Sequence, residues 1–299
     1  MADLGQKRAL DSKPRTPILF DYAQGFINSV VMFARCQMSK TIICLFGMPL
    51  LVLAALPGCA DTVEHEASDA LLQLETVQKA SFKTQDGITI TSVVGMPPNI
   101  SGRHPAVIFI HQGGSNKEEW TAISLFQHVI DTGMIALAYD VRGHGNSGGK
   151  GGVSLYDDPN RAPLDLRAAI AFLQDNEHVD KNRIAIVGSS IGANLALVGV
   201  SRDDFEIKTA VAMSGKTSAW INLAGGDAAI DGLSSIFVIA SEGEQGGKRA
   251  AWAQEIYNLA TPPRKLEIVK GSSAHGTEVL EHTPELQERI INWLKAELK

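Results

Sequence analysis

Ser190 stands at the centre of Gly188-Ser189-Ser190-Ile191-Gly192. The run before it, Arg183 to Val187, is short, apolar and β-branched, as a buried parallel strand would be. The segment after it is rich in alanine and leucine and reads as a helix. A strand that becomes a helix within about two residues passes through a strained backbone conformation. Gly188 and Gly192 fall where the two elements nearly collide and a side chain would clash. Such a turn holds a hydroxyl up at the carboxyl edge of a sheet, at the amino end of a helix whose dipole favours developing negative charge. The chemistry this suits is nucleophilic attack by Ser190.

A serine hydroxyl is a weak nucleophile until a base takes its proton. In this strand–turn–helix context the expected chain order is serine, acid, histidine. Of eight histidines, only His275 and His282 lie well downstream of Ser190. His275 belongs to the loop Gly271-Ser272-Ser273-Ala274-His275-Gly276 after the last expected strand, whereas His282 falls in the region of the terminal helix, so position favours His275. The acid is expected in the loop after the preceding strand, which reads Ser241-Glu242-Gly243-Glu244-Gln245. Glu244 is the first choice there and Glu242 the alternative. A tetrahedral intermediate also needs amide donors for its oxyanion. The main-chain N–H of Ile191 is one candidate, and that of Gly113 or Gln112, in the glycine-rich loop after the strand 106–110, is the other.

The elements that must carry these residues alternate strand and helix almost throughout. Val77 to Val94 alternates apolar and polar residues about Asp86-Gly87, which predicts a hairpin. Strands are expected at Ala106–Ile110, Ile135–Tyr139, the run before Ser190, Thr209–Met213, Ser235–Ala240 and Leu266–Val269. Helical spacing covers Lys117–Thr132, Ala162–Asp175, the segment after Ser190, Lys248–Leu259 and Val279–Leu298. The pattern predicts an α/β chain with a mainly parallel central sheet, helices on both faces, and function at the carboxyl ends of the strands.

With these pieces in place, the sequence resembles serine hydrolases of the α/β-hydrolase superfamily. The matching segments are His111-Gln112-Gly113-Gly114, Asp140-Val141-Arg142-Gly143-His144-Gly145-Asn146-Ser147, Gly188-Ser189-Ser190-Ile191-Gly192 and Ser273-Ala274-His275-Gly276. They occur in the family's order, over roughly residues 77–299. The resemblance implies the α/β-hydrolase fold, Ser190 as nucleophile, His275 as base and an acid after the strand near Ala240. It implies a structural role for the Asp140-to-Ser147 segment. Larger relatives insert a helical cap after the sixth strand. Here only the stretch from Lys216 to Ser234 is available, so no large cap domain is expected and the site should be open, as in dienelactone-hydrolase-like and small esterase members.

The chain has 299 residues, 44% hydrophobic and 20% charged, with a formal net charge of −6. This is ample for one large core, and the acidic balance argues against a nucleic-acid partner. Cys36, Cys44 and Cys59 all lie in the first fifth of the chain, so no disulfide framework or Cys/His metal site is available beyond them. No metal-ligand cluster or phosphate loop is legible, and no cofactor is expected. Thr41 to Pro57 is an apolar, uncharged run preceded by Lys40, with the length of a signal-peptide core. It leads into Leu56-Pro57-Gly58-Cys59, which resembles the lipobox of a bacterial lipoprotein signal. That resemblance implies cleavage before Cys59, lipid attachment to it and, because Ala60 rather than an aspartate follows, an outer-membrane address. The expected organisation is a signal peptide over 38–59 starting at Met38, an N-terminal extension over 1–37 outside the native protein, an acidic tether over 60–76 and the hydrolase domain over 77–299. An uncleaved membrane anchor is the alternative for the apolar run. Three functions compete: a membrane-tethered hydrolase of small carboxylic esters, a peptidase or thioesterase on the same fold, and a non-catalytic surface binding protein.

Overall fold

The computed structural model describes residues 76–299. The extension over 1–37, the signal peptide over 38–59, Cys59 and almost all of the 60–76 tether lie outside the described residues.

Among the described residues the core is one sheet of eight strands. In chain order these are β1 (Val77–Lys83), β2 (Thr89–Gly95), β3 (His104–Ile110), β4 (Ile135–Tyr139), β5 (Val179–Ser189), β6 (Thr209–Met213), β7 (Ser234–Ser241) and β8 (Thr261–Val269). Their spatial order is β1-β2-β4-β3-β5-β6-β7-β8. The hairpin β1–β2 and the pair β2–β4 are antiparallel, and every later pair is parallel. The α-helices among the described residues are α1 (Glu118–Thr121), α2 (Ser124–Asp131), α3 (Ala162–Gln174), α4 (Ile191–Ser201), α5 (Thr217–Ala224), α6 (Lys248–Leu259), α7 (Glu278–His282) and α8 (Glu285–Glu297). This is the α/β-hydrolase fold, with no cap domain inserted between β6 and β7.

Strand β4 and the inner stretches of β3 (106–110), β5 (184–187) and β6 (210–213) read as unbroken apolar runs because both sheet faces are covered. Successive side chains on a strand point to opposite faces. On one face Ile108, Ile110, Ile184 and Ile186 pack with Leu166 and Ile170 of α3 and Leu195 of α4. On the other, Val107, Phe109, Ala185 and Val187 pack with Phe126, Val129 and Ile130 of α2 and Leu286, Ile290 and Leu294 of α8. Burying one such side chain contributes about 1.5–3 kcal/mol. These two layers therefore hold β5 rigidly and set where its turn into α4 falls. In the ladder Gly188 lies level with Ile110 of β3 and Ala212 of β6.

Four sequence expectations are corrected by the structure. The single helix over Lys117–Thr132 is two helices, because Ile123 is extended (φ −101°, ψ 135°) between them. The main-chain N–H of Lys117 donates to Asp140 Oδ1 at 2.7 Å, which ties the start of α1 to the end of β4, and the kink at Ile123 lets α2 lie on the sheet independently. The terminal helix over Val279–Leu298 is also two, broken at Thr283 (φ −141°), the residue before Pro284. A proline disfavours the helical conformation of its predecessor. The strand β8 starts at Thr261 rather than Leu266 and runs through Pro262 and Pro263, which is tolerated because β8 is an edge strand. The stretch between β6 and β7, where the sequence pattern assigns no helix, contains α5, whose Trp220 and Leu223 are fully buried.

Candidate active site

Ser190 links β5 to α4 with φ 53° and ψ −108°, a conformation that few non-glycine residues adopt. Its N–H donates to Met213 O of β6 at 2.8 Å, which anchors the turn to the neighbouring strand end. The flanking glycines are sterically required. A Cβ on Gly188 would lie 2.1 Å from Gly192 O, and one on Gly192 would lie 2.1 Å from Ile110 O. The N–H of Ile191 belongs to the first residue of α4, where amides have no carbonyl partner inside the helix.

His275 lies in the loop after β8, and its Nδ1 is 2.5 Å from Glu244 Oε1. A carboxylate only accepts, so Nδ1 carries the proton and the lone pair lies on Nε2, the opposite edge of the ring. Of the two glutamates weighed above, Glu244 is the one that meets the imidazole, and it is buried. Glu242 is turned away. It is exposed, pairs with Lys270 Nζ at 2.8 Å and accepts the N–H of Gly271 at 3.0 Å. His282 is the last residue of α7. The second oxygen of Glu244 accepts from Ser214 Oγ at 2.7 Å, and the same hydroxyl accepts the N–H of Gly276 at 3.0 Å. Arg249 of α6 has Nε 3.4 Å from Glu244 Oε1 and donates from Nη1 to Ser214 O at 2.6 Å. Gly276 itself lies against the turn that carries Ser190: a Cβ there would be 3.3 Å from Ser189 Oγ. Ser214 and Arg249 were not singled out from sequence. The available signal for Ser214 was its place just past the carboxyl end of β6.

The loop after β3 is held from both sides. The N–H of Val141 donates to His111 Nε2 at 2.9 Å, which leaves the proton on Nδ1, and Nδ1 donates to Gln112 O at 2.7 Å. Burial lowers the basicity of His111 below its ordinary value and keeps it in this neutral form. The N–H of Gln112 donates to Glu119 Oε2 at 3.1 Å. Of the two loop amides considered for the oxyanion, that of Gln112 is thus already engaged, whereas Gly113 is exposed and lines the cavity at Ser190. A Cβ on Gly113 would meet Tyr156 Oη at 2.7 Å, so the site needs glycine there or a displaced tyrosine. The cavity has a volume of about 410 Å³ and is bounded also by Ile191, Asn194, Lys216 and Arg249.

The segment after β4 braces this arrangement. Asp140 is fully buried and accepts from Lys117 N, Lys117 Nζ at 3.1 Å, Thr91 Oγ1 at 2.7 Å and Asn146 N at 2.9 Å. Arg142 bridges Asp86 of the hairpin turn and Asp165 of α3. These contacts give the segment its structural character; none reaches Ser190.

A family model described as serine aminopeptidase, S33, matches residues 102–226, less than half of the chain. The chain is 29% identical over 119 residues to the uncharacterised protein YcjY of Escherichia coli (strain K12), covering 38% of each. It is 30% identical over 141 residues to the thiohydrolase apmlB of Arthrinium phaeospermum, covering 46% of this chain and 42% of that one. The chain spans less than half the length of the curated relatives it matches. Among solved structures, the Pyrococcus furiosus esterase Pf2001 superimposes with a TM-score of 0.61 at 21% identity, covering 85% of this chain and 100% of that one. The fold is that of the α/β hydrolases, and these matches support a hydrolase on it.

Proposed function

We propose that the chain is a serine hydrolase that cleaves small, polar carboxylic esters through an acyl-enzyme intermediate. The observation that carries this reading is the pairing of a strained Ser190 turn with a hydrogen bond from His275 to the buried Glu244 at the same edge of the sheet. In the proposed reaction His275 Nε2 takes the Ser190 proton as Oγ attacks the ester carbonyl. The oxyanion is held by the N–H groups of Ile191 and Gly113. The tetrahedral intermediate collapses, the C–O bond to the leaving alcohol breaks, and His275 returns the proton to that alcohol. Water, deprotonated by the same imidazole, then attacks the acyl carbon, the bond to Ser190 Oγ breaks, and His275 returns the proton to that oxygen as the acid leaves. The polar lining from Asn194, Lys216, Asp157 and Arg249 supports short polar acyl groups over long aliphatic ones. Turnover of p-nitrophenyl esters should fall with chain length from acetate to decanoate. Ser190→Ala should abolish turnover and fluorophosphonate labelling while the melting temperature is retained; undiminished turnover in that variant would overturn the reading.

The serine aminopeptidase family model and the thiohydrolase relative favour a second reading, a peptidase or thioesterase on the same machinery. A panel of matched ester, thioester and aminoacyl-anilide substrates separates the three bonds by kcat/KM. The lipobox-like segment supports a lipid anchor at Cys59 and a cell-envelope location. Metabolic labelling with an alkynyl fatty acid should mark the wild-type chain and not Cys59→Ala. Unlabelled wild-type protein would remove the anchor and leave the hydrolase reading standing.

A further inference from the structure

We infer that Glu119 is a positioning residue that locks the oxyanion loop to the nucleophile turn; the inference rests on the hydrolase reading of Ser190. One carboxylate bridges the two segments that must cooperate. Its Oε2 accepts the N–H of Gln112 at 3.1 Å, and its Oε1 accepts from Ser189 Oγ at 2.8 Å. Gln112 immediately precedes the proposed donor Gly113, and Ser189 immediately precedes the proposed nucleophile. The two proposed oxyanion donors therefore belong to chain segments that Glu119 ties together directly.

The lock acts through the peptide plane. In a trans peptide the C=O and the following N–H point in opposite directions. Gln112 O is pinned by His111 Nδ1 at 2.7 Å and by the N–H of Ser115 at 3.2 Å. The Gly113 N–H must therefore point away from those groups. Glu119 fixes the preceding N–H, so both ends of Gln112 are held and the plane cannot rotate. Glycine at 113 and 114 gives the loop no stiffness of its own, and Gly114 takes φ 78°. Glu119 is itself well seated. It lies in α1, whose start is fixed by Lys117 on Asp140 and whose Trp120 is buried against Phe109. A negative charge next to an oxyanion loop opposes the charge that develops there. Its presence is explained by its geometry: a carboxylate offers a separate acceptor oxygen to each of the two donors, whereas an amide side chain has only one acceptor oxygen.

The role predicts a loss confined to the transition state. Glu119→Ala should lower kcat by about 10- to 100-fold with KM within about twofold, because a donor displaced by a fraction of an ångström still admits substrate. Affinity for a trifluoromethyl ketone, which forms the tetrahedral adduct, should fall in parallel with kcat/KM. Glu119→Gln keeps the shape and one acceptor and should lie between the two. Ser189→Ala removes only the turn's half of the bridge, so adding it to Glu119→Ala should cost little more. Thermal melts and fluorophosphonate active-site titration give the fraction of folded, competent enzyme for each variant. The inference is overturned if correctly folded Glu119→Ala keeps kcat within threefold of wild type. It is equally overturned if the loss disappears once rates are normalised to titrated sites. Because Ser190→Ala is assayed alongside, an inactive Ser190→Ala with a normal Glu119→Ala removes the lock alone, whereas an active Ser190→Ala removes the hydrolase reading beneath it.

Discussion

Ser214 does several things at once for a single hydroxyl-bearing residue. It takes φ 56°, donates to Glu244, accepts from Gly276 and offers its carbonyl to Arg249. Ser214→Ala leaves the Gly276 N–H and one Glu244 oxygen without a partner in a buried site, at a cost of about 1–3 kcal/mol. A shift of the urea midpoint together with a lower kcat checks this. The glutamates give a sharper contrast. Glu244→Gln should reduce kcat by about 10³–10⁴ fold, since His275 loses the group that orients it and stabilises its charged form. Glu242→Gln should leave kcat near wild type, because that carboxylate faces solvent and Lys270. Steady-state kinetics on the pair tests the assignment. The loop sequence placed both glutamates at the right edge of the sheet. Side-chain direction within a loop is set by the contacts the loop makes, so the choice between them was not legible there.

At the scale of the element, the turn from β5 to α4 depends on close backbone approach. Gly192→Ala drives a Cβ into Ile110 O, and Gly188→Ala into Gly192 O, neither of which is a flexible side chain. Each should destabilise by about 3 kcal/mol or more, or prevent soluble expression. Gly225→Ala, at φ 93° with open space around it, should cost only about 1 kcal/mol. Denaturant midpoints of the three variants check the ranking. The glycine pattern was readable because the collision it relieves is local. The breaks at Ile123 and Thr283 were less so. The second has a local signal in Pro284, but the first arises where α1 is tied to β4 and α2 is pressed on the sheet, contacts that no window of sequence contains.

Across the whole molecule, buried charge ties distant segments together. Lys117 and Asp140 are both buried and bonded to each other. Lys117→Met strands the Asp140 charge and should cost about 3–5 kcal/mol, whereas Lys117→Met with Asp140→Asn should cost less than the sum of the two single changes. The hairpin is attached to the sheet core through Asp86 and Arg142. The hydrogen bond from the Arg142 guanidinium, against opposing burial, lowers the Asp86 carboxyl from 3.8 to about 2. A depressed folded-state value means that this contact stabilises the fold above pH 3.8 and that its contribution is lost as pH falls towards 2. Asp86→Asn should therefore lower stability at neutral pH and flatten the acid limb between about pH 4 and pH 2. The effect is modest, about 1 kcal/mol or less, because Asp86 is partly exposed. Thermal melts across that range measure it.

The amino-acid sequence by itself determined the alternation of strand and helix, the parallel sheet, the strained serine turn and a histidine after the last strand. Each of these is written in a local period or a local steric demand, such as apolar runs for doubly covered strands and glycine where backbones touch. Tertiary structure alone decided which glutamate meets His275, that the Gln112 amide is engaged while Gly113 faces the cavity, and that Glu119 reaches Ser189 across 70 residues of chain. Those are questions of direction between segments that meet only after the sheet has assembled. Strand order and register set the answer, and neither is encoded in any single stretch.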